Sequence, residues 1–176
     1  YGFSLTNSSL LKLSAAYNHN STRVTRVDTL PANLSGLKSS LFDRVEQERI
    51  EYGNPENNLI LSGNYTYDKL GILLRSQRFG QVTSYGTAPS NAAGPLDQTF
   101  SPKWITDLSG SYGYRRFTVT AGADNVFDVY PDRNNSNGSL TPENGGTSNF
   151  GIFPYAGISP FGFNGRFIYT KLAVSF

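Results

Sequence analysis

Nucleophilic chemistry has one place to start in this chain. His19, the single histidine, stands two positions before Ser21, near enough for an imidazole to take a hydroxyl proton, with an Asn to orient the ring. Serine is abundant, and a lone histidine near a strand end is also an ordinary polar rim residue, so this spacing is a weak signal. The remaining inventory is short. Cys is absent, which excludes disulfides, thiolate chemistry and Cys-ligated metals. No metal-spaced His cluster, P-loop or GxGxxG fingerprint occurs, so neither a metal nor a cofactor is expected. Lys+Arg 15 against Asp+Glu 13 leaves the chain almost neutral, and no electrostatic case for nucleic acid follows. Asn-x-Ser/Thr sequons such as Asn20-Ser21-Thr22 are chance products of an Asn- and Ser-rich composition.

The other chemistry-bearing residues are charges set into alternating segments, and the elements that must hold them are strands. Aromatics make up 14% of the chain, and Gly, Asn, Ser and Tyr are abundant, which suits strands and turns better than helices. No apolar run approaches the roughly 20 residues of a membrane helix. Met is absent and no signal-like segment precedes the alternation, which reads as a processed or excised chain. Period-two alternation marks Leu10 to Val24, Asn58 to Tyr67, Leu70 to Ser84, Pro102 to Tyr114, Phe117 to Val129 and Asn164 to Phe176, after a stub at Tyr1 to Thr6. The spacers alternate in length. Asn7 to Ser9, Asp68 to Lys69 and Arg115 to Arg116 are short; 25–57, 85–101 and 131–163 are long. Tight turns at one end and extended loops at the other are the rhythm of an antiparallel transmembrane β-barrel. Proline agrees: Pro31, Pro55, Pro89, Pro95, Pro131, Pro142, Pro154 and Pro160 fall in long loops, and Pro102 opens a strand.

A lipid-facing parity must be free of charge, because Arg or Lys at mid-bilayer costs about 2 to 4 kcal/mol. One parity in each segment meets that condition: Leu11, Leu13, Ala15 and Tyr17; Leu59, Leu61, Gly63, Tyr65 and Tyr67; Ile72 and Leu74; Trp104, Leu108, Tyr112 and Tyr114; Phe117, Val119, Ala121 and Ala123; Ile168, Leu172, Val174 and Phe176. Lys12, Arg75, Asp107, Asp124 and Lys171 take the other parity, as lumen-facing residues would. Arg78 and Arg166 share the apolar parity but lie toward the loop ends. Tyr65, Tyr67, Tyr112, Tyr114, Phe117 and Phe176 would form an aromatic girdle near the short turns, and Tyr17, Trp104 and Phe127 a second one near the long loops. A soluble sandwich also buries aromatics, but gives no reason to sort them by height or the loops by length.

Two loops carry content of their own. Ser40, then Asp43, Val45, Glu46, Gln47, Glu48 and Arg49, predict a short capped helix in the first long loop. The third combines Asn134, Asn135, Gly138, Gly145 and Gly146 with Phe150, Phe153, Tyr155, Phe161 and Phe163. That mixture suits a binding surface and a loop folded onto its neighbours equally.

Asp124-Asn125-Val126-Phe127-Asp128-Val129-Tyr130-Pro131 resembles the Asn-x-Phe-Asp-x-x-Tyr-Pro pattern near the C-terminus of TonB-dependent outer-membrane receptors. Arg49-Ile50-Glu51-Tyr52-Gly53-Asn54-Pro55, Gln98-Thr99-Phe100 through Trp104, Gly162-Phe163-Asn164-Gly165-Arg166 and the terminal strand ending at Phe176 resemble the same family in the same order. The resemblance implies a barrel of about 22 strands closed around an N-terminal plug, located in the bacterial outer membrane. Residues 1–176 would be the C-terminal portion of that barrel, an incomplete segment of about six strands plus the stub, with plug and TonB-binding segment absent. It also implies that Leu172, Val174 and Phe176 form the signal read by the barrel-assembly machinery.

The expected function is ligand-gated active transport of a scarce solute (a ferric siderophore, cobalamin or a glycan), powered through TonB acting on the plug, with no catalysis by the chain. Its expected partners are outer-membrane lipid, the assembly machinery, TonB via the plug and the small-molecule or glycan ligand. The ligand would meet loops 25–57, 85–101 and 131–163, and Lys12, Arg75, Asp107 and Lys171 would face lumen or plug, or form ion pairs in the wall. Two alternatives stand beside it. The His19/Ser21 spacing resembles the His-x-Ser of outer-membrane phospholipase A, and a passive porin would share the barrel physics without a plug.

Overall fold

A computed structural model of the chain describes residues 1–6, 8–37, 41–86, 90, 91, 94, 95, 97–134 and 154–176. Expectations placed on Asn7, Ser40, Pro89, Asn135, Gly138, Pro142, Gly145, Gly146, Phe150 and Phe153 lie outside them. The strands in chain order are β1 (Gly2–Thr6), β2 (Ser9–His19), β3 (Asn57–Tyr67), β4 (Leu70–Phe79), β5 (Val82–Ser84), β6 (Ser90–Asn91), β7 (Gly94–Pro95), β8 (Gln98–Phe100), β9 (Lys103–Tyr114), β10 (Phe117–Asp124) and β11 (Phe167–Val174). A seven-stranded antiparallel sheet runs β1-β2-β3-β4-β9-β10-β11, so β1 is a full member of it. Two small pairs, β5-β8 and β6-β7, stand apart. No helix among the described residues is long and apolar enough to cross a membrane.

Several strands are shorter than their alternation predicts, and most of these ends coincide with a particular contact or backbone angle. β2 stops at His19; beyond it Asn20 N–H turns to the Glu56 carbonyl and Val24 N–H to the Glu51 carboxylate. β4 stops at Phe79, and Gly80 follows where an added Cβ would sit 2.5 Å from the Asn57 carbonyl oxygen. Among the described residues Val82–Ser84 then pairs only with Gln98–Phe100. β10 ends before Asn125, which has a φ of 51°, and β11 begins after Gly165, with a φ of 74°. In the first long loop, helix α1 (Arg44–Tyr52) is capped by Asp43, whose carboxylate accepts the Glu46 N–H. A short 3-10 turn at Ala32–Leu37 precedes it.

Register joins the uncharged parities into one surface. Leu13 lies opposite Gly63, Gly63 opposite Leu74, and Leu74 opposite Leu108. Leu108 lies opposite Ala123, and Ala123 opposite Ile168. Partners across an antiparallel ladder share a face, so the clean parity of every predicted segment falls on one side. Its bulky residues are open: Leu61 is 41%, Leu74 48% and Val119 47% exposed. The buried apolar cluster is elsewhere, at Val82, Phe100 and Ala156 near the long loops, with Ile158 packed against it.

Exposure on β9 runs opposite to that of a water-soluble sheet. Trp104, Leu108, Tyr112 and Tyr114 are exposed, whereas Asp107, Ser109 and Ser111 on the polar side are half-buried. Thr106 is the exception, a buried residue on the apolar face whose hydroxyl pairs with Ser76 at 2.9 Å.

Candidate functional site

Lys12, Arg75, Asp107 and Lys171 all stand on the polar face, as expected from parity. Arg75 lies directly opposite Asp107 in the β4-β9 ladder. No ion pair joins them among the described residues. Arg75 donates instead to the Gln77 side chain at 2.9 Å, and the Asp107 carboxylate accepts the Asn125 N–H at 2.9 Å. Lys171 sits across from Thr120 and Lys12 across from Asn64, both without a charged partner among the described residues. The face is therefore a set of separate polar groups available to whatever lies against it.

His19 and Ser21 are not brought together. The imidazole Nδ1 is 2.9 Å from Asn57 Oδ1, and Nε2 faces the Glu56 carboxylate at 3.9 Å. Among the described residues no hydrogen bond links the ring to Ser21, so the hydroxyl has no base beside it, while the imidazole is held by Asn57 and Glu56.

At the long-loop end the segments lock to one another. Arg44, in the first turn of α1, makes paired bonds of 2.8 and 2.7 Å to Asp97 and a third, of 2.8 Å, to the Gly86 carbonyl. Its guanidinium lies 4.9 Å from the Tyr85 ring centre. The Arg44 hydrogen bond holds the Asp97 carboxyl below its ordinary pKa against the opposing effect of burial, and burial pushes the Tyr85 phenol up. A second clamp joins Lys103 to Asp132 at 2.7 Å. Burial alone would raise Asp132, but hydrogen bonds from Lys103 and Ser101 outweigh it and bring the carboxyl down to about 2. These pairs escape sequence reading because the partners are far apart in the chain, Arg44 and Asp97 by 53 positions, with no periodicity to link them.

Two of the sequence segments behind the family resemblance meet in space. Buried Asn125 donates to the Val129 carbonyl at 2.8 Å and accepts the Val129 N–H at 2.9 Å, closing a loop. Asp128 then accepts the Arg166 N–H at 2.8 Å, and the Arg166 guanidinium donates to the Val126 carbonyl at 3.2 Å. Gly165 is required where it stands: a Cβ there would lie 2.2 Å from the Tyr130 hydroxyl. The Asp128 carboxylate raises the Tyr130 pKa. Tyr130 stacks on Tyr155 at 5.7 Å, and Tyr155 on Phe163 at 5.9 Å. With Phe161 against Phe79 at 5.4 Å, the described part of the third loop is folded onto its neighbours. These residues fix where β11 joins β10.

In β11, Leu172 and Val174 lie opposite Val119 and Phe117 on the apolar face, and Phe176 follows fully exposed. Two hollows differ in what they could hold. One of about 700 Å3 opens on the apolar face around Leu13, Ala15, Leu61, Gly63 and Leu74, with little to orient a polar solute. The other, about 190 Å3, lies among Thr22, Arg23, Glu51, Tyr52, Asn54 and Gln81 at the long-loop end, where hydroxyl, amide and charged groups converge. Compared with family models and with curated proteins, the chain matches none.

Proposed function

We propose that this chain is a stretch of wall from a transmembrane β-barrel of the TonB-dependent receptor kind, in the bacterial outer membrane. Its work is ligand-gated uptake of a scarce solute: a ferric siderophore, cobalamin or a glycan. The reading is carried by one observation, the exposed apolar face, free of charge between its two ends, that stays in register through the ladders from β2 to β11, with the polar side the more sheltered one along β9. Water penalises such a face, and hydrocarbon does not. Dimensions agree. From Trp104 to Tyr114 the strand covers about 34 Å, or about 26 Å along the membrane normal at a tilt near 40°, close to the ~25 Å apolar band of such barrels.

In this reading the polar face, with Lys12, Arg75, Asp107 and Lys171, lies against a plug that TonB acts on. Loops 25–57, 85–101 and 131–163 meet the solute from outside. Leu172, Val174 and Phe176 are what the barrel-assembly machinery reads. The convergence of Asn125, Asp128 and Tyr130 with Gly165 and Arg166 supports the family assignment, because it gives the quoted motif residues a shared structural task. Deleting 135–153 from the protein as its gene encodes it should lower solute uptake while leaving heat-resistant, outer-membrane assembly intact. Unchanged uptake removes the binding role of that loop.

A further inference from the structure

We propose that the long-loop rim of the apolar face is a lipid-phosphate site centred on Arg78; this rests on the membrane reading above. Across the rim, Tyr17 lies opposite Leu59, Leu59 opposite Arg78, and Arg78 opposite Trp104. Arg78 is thus a cation within a surface that below it is uncharged, carrying leucine, alanine, valine and aromatic rings with the hydroxyl pair Ser76 and Thr106. It is half-buried, and among the described residues no hydrogen bond or ion pair holds its guanidinium. A guanidinium without a partner on a lipid face is costly unless it reaches headgroup level. There a phosphate matches its planar fork with two parallel charge-assisted bonds. Trp104 and Tyr17 flank it as amphipathic rings that settle at the same depth.

Arg166 offers a weaker second position. Continuing the β10-β11 register past Asp124 and Phe167 puts it on the same face. Its guanidinium already donates to the Val126 carbonyl, and the Asp128 carboxylate stands nearby. Three strand spacings separate β4 from β11, about 14 Å, so each cation takes its own phosphate. The occupant is a lipid and not free phosphate. A single guanidinium in contact with water holds a dissolved anion poorly, whereas acyl chains lying over the leucines below keep a headgroup in place.

The test uses the full-length protein in bilayer discs of phosphatidylcholine with a minority of phosphatidic acid, reading the ratio of lipids retained on the protein by native mass spectrometry. Phosphatidic acid should be enriched. Arg78→Gln should cut that enrichment about fivefold, Arg166→Gln by less, and Arg78→Lys should restore part of it. Arg116→Gln removes the same charge at the short-turn end and should have under half the effect. An unchanged ratio in Arg78→Gln, or an equal fall in Arg116→Gln, overturns the site. Inorganic phosphate shielding Arg78 from phenylglyoxal as well as phosphatidic acid does would make it a free-anion site and overturn the lipid assignment. Failure of the membrane reading looks different: brominated acyl chains would then leave fluorophores at positions 74 and 119 unquenched.

Discussion

The sheet and the loops above it are held together by opposite means. In the loops, stability has the form familiar from water-soluble proteins: Val82 is 2%, Phe100 4% and Ala156 0% exposed, and charges such as Arg44 with Asp97 and Lys103 with Asp132 are paired. In the sheet, backbone ladders do the work, large apolar side chains stay open, and the polar-face charges stand apart. Under the membrane proposal, one chain is folded for two surroundings. A substitution should therefore act by the rules of the region it falls in, which is how the contrast can be broken.

The largest effect is expected from charge on the apolar face at mid-height. Leu74→Lys should destabilise the full-length protein in a bilayer by about 3 kcal/mol. Asn64→Lys, an exposed position on the other face of the neighbouring strand, should cost under about 1 kcal/mol. Unfolding in denaturant from lipid vesicles measures both. Equal costs would erase the distinction between the faces.

Next comes the knot where the two regions meet. Asn125→Ala removes two bonds to Val129 and leaves alanine at a φ of 51°. Together these should cost about 2 to 3 kcal/mol. Hydrogen exchange should show the loss at Val126 to Tyr130 and at the start of β11, with β2 and β3 unchanged. Uniform loss across the sheet would mean that the knot and the sheet unfold as one unit.

How much of this was legible in the sequence divides along the same line. Parity alone placed Leu13, Leu61, Leu74, Val119 and Leu172 on a common face and Lys12, Arg75, Asp107 and Lys171 on the other, because a two-residue period is local and leaves its mark in every segment. Strand ends were over-extended. Val24, Ser84 and Val129 continue the alternation, but hydrogen bonds to distant residues and the positive φ of Asn125 end the pairing first. The loop clamps were not legible at all. Nothing near Arg44 announces Asp97, and His19 turned to Asn57 and Glu56, which follow from the β2-β3 register and not from the spacing to Ser21.

Acid should separate the regions without mutation. The Asp132 carboxyl titrates at about 2 in the fold against an ordinary 3.8. Its stabilisation is therefore complete above the ordinary value and is lost as pH falls through the folded one. For a side chain about one-third exposed this amounts to about 1 to 2 kcal/mol. Asp97 is shifted in the same direction and should add to the loss. Protease cleavage in 85–101 and 131–163 should rise over that interval, while the strand signal in circular dichroism holds. Strands melting together with the loops would contradict separate stabilisation.

The smallest effect lies at the other end of the sheet, where no described residue belongs to a buried apolar cluster and the tight turns carry the strain. Asp68 and Arg115 both open such turns with positive φ, 48° and 54°, a region where a side chain costs about 1 kcal/mol and glycine costs nothing beyond its entropy. Asp68→Gly should therefore be close to neutral. Arg115 also lays its guanidinium over Tyr114 at 5.4 Å, a contact worth about 0.5 kcal/mol when exposed. Arg115→Gly should then be the less favourable of the two by about that amount. Parity between the two variants would mean that the Tyr114 contact adds nothing, and that backbone geometry alone sets the stability of the short-turn end.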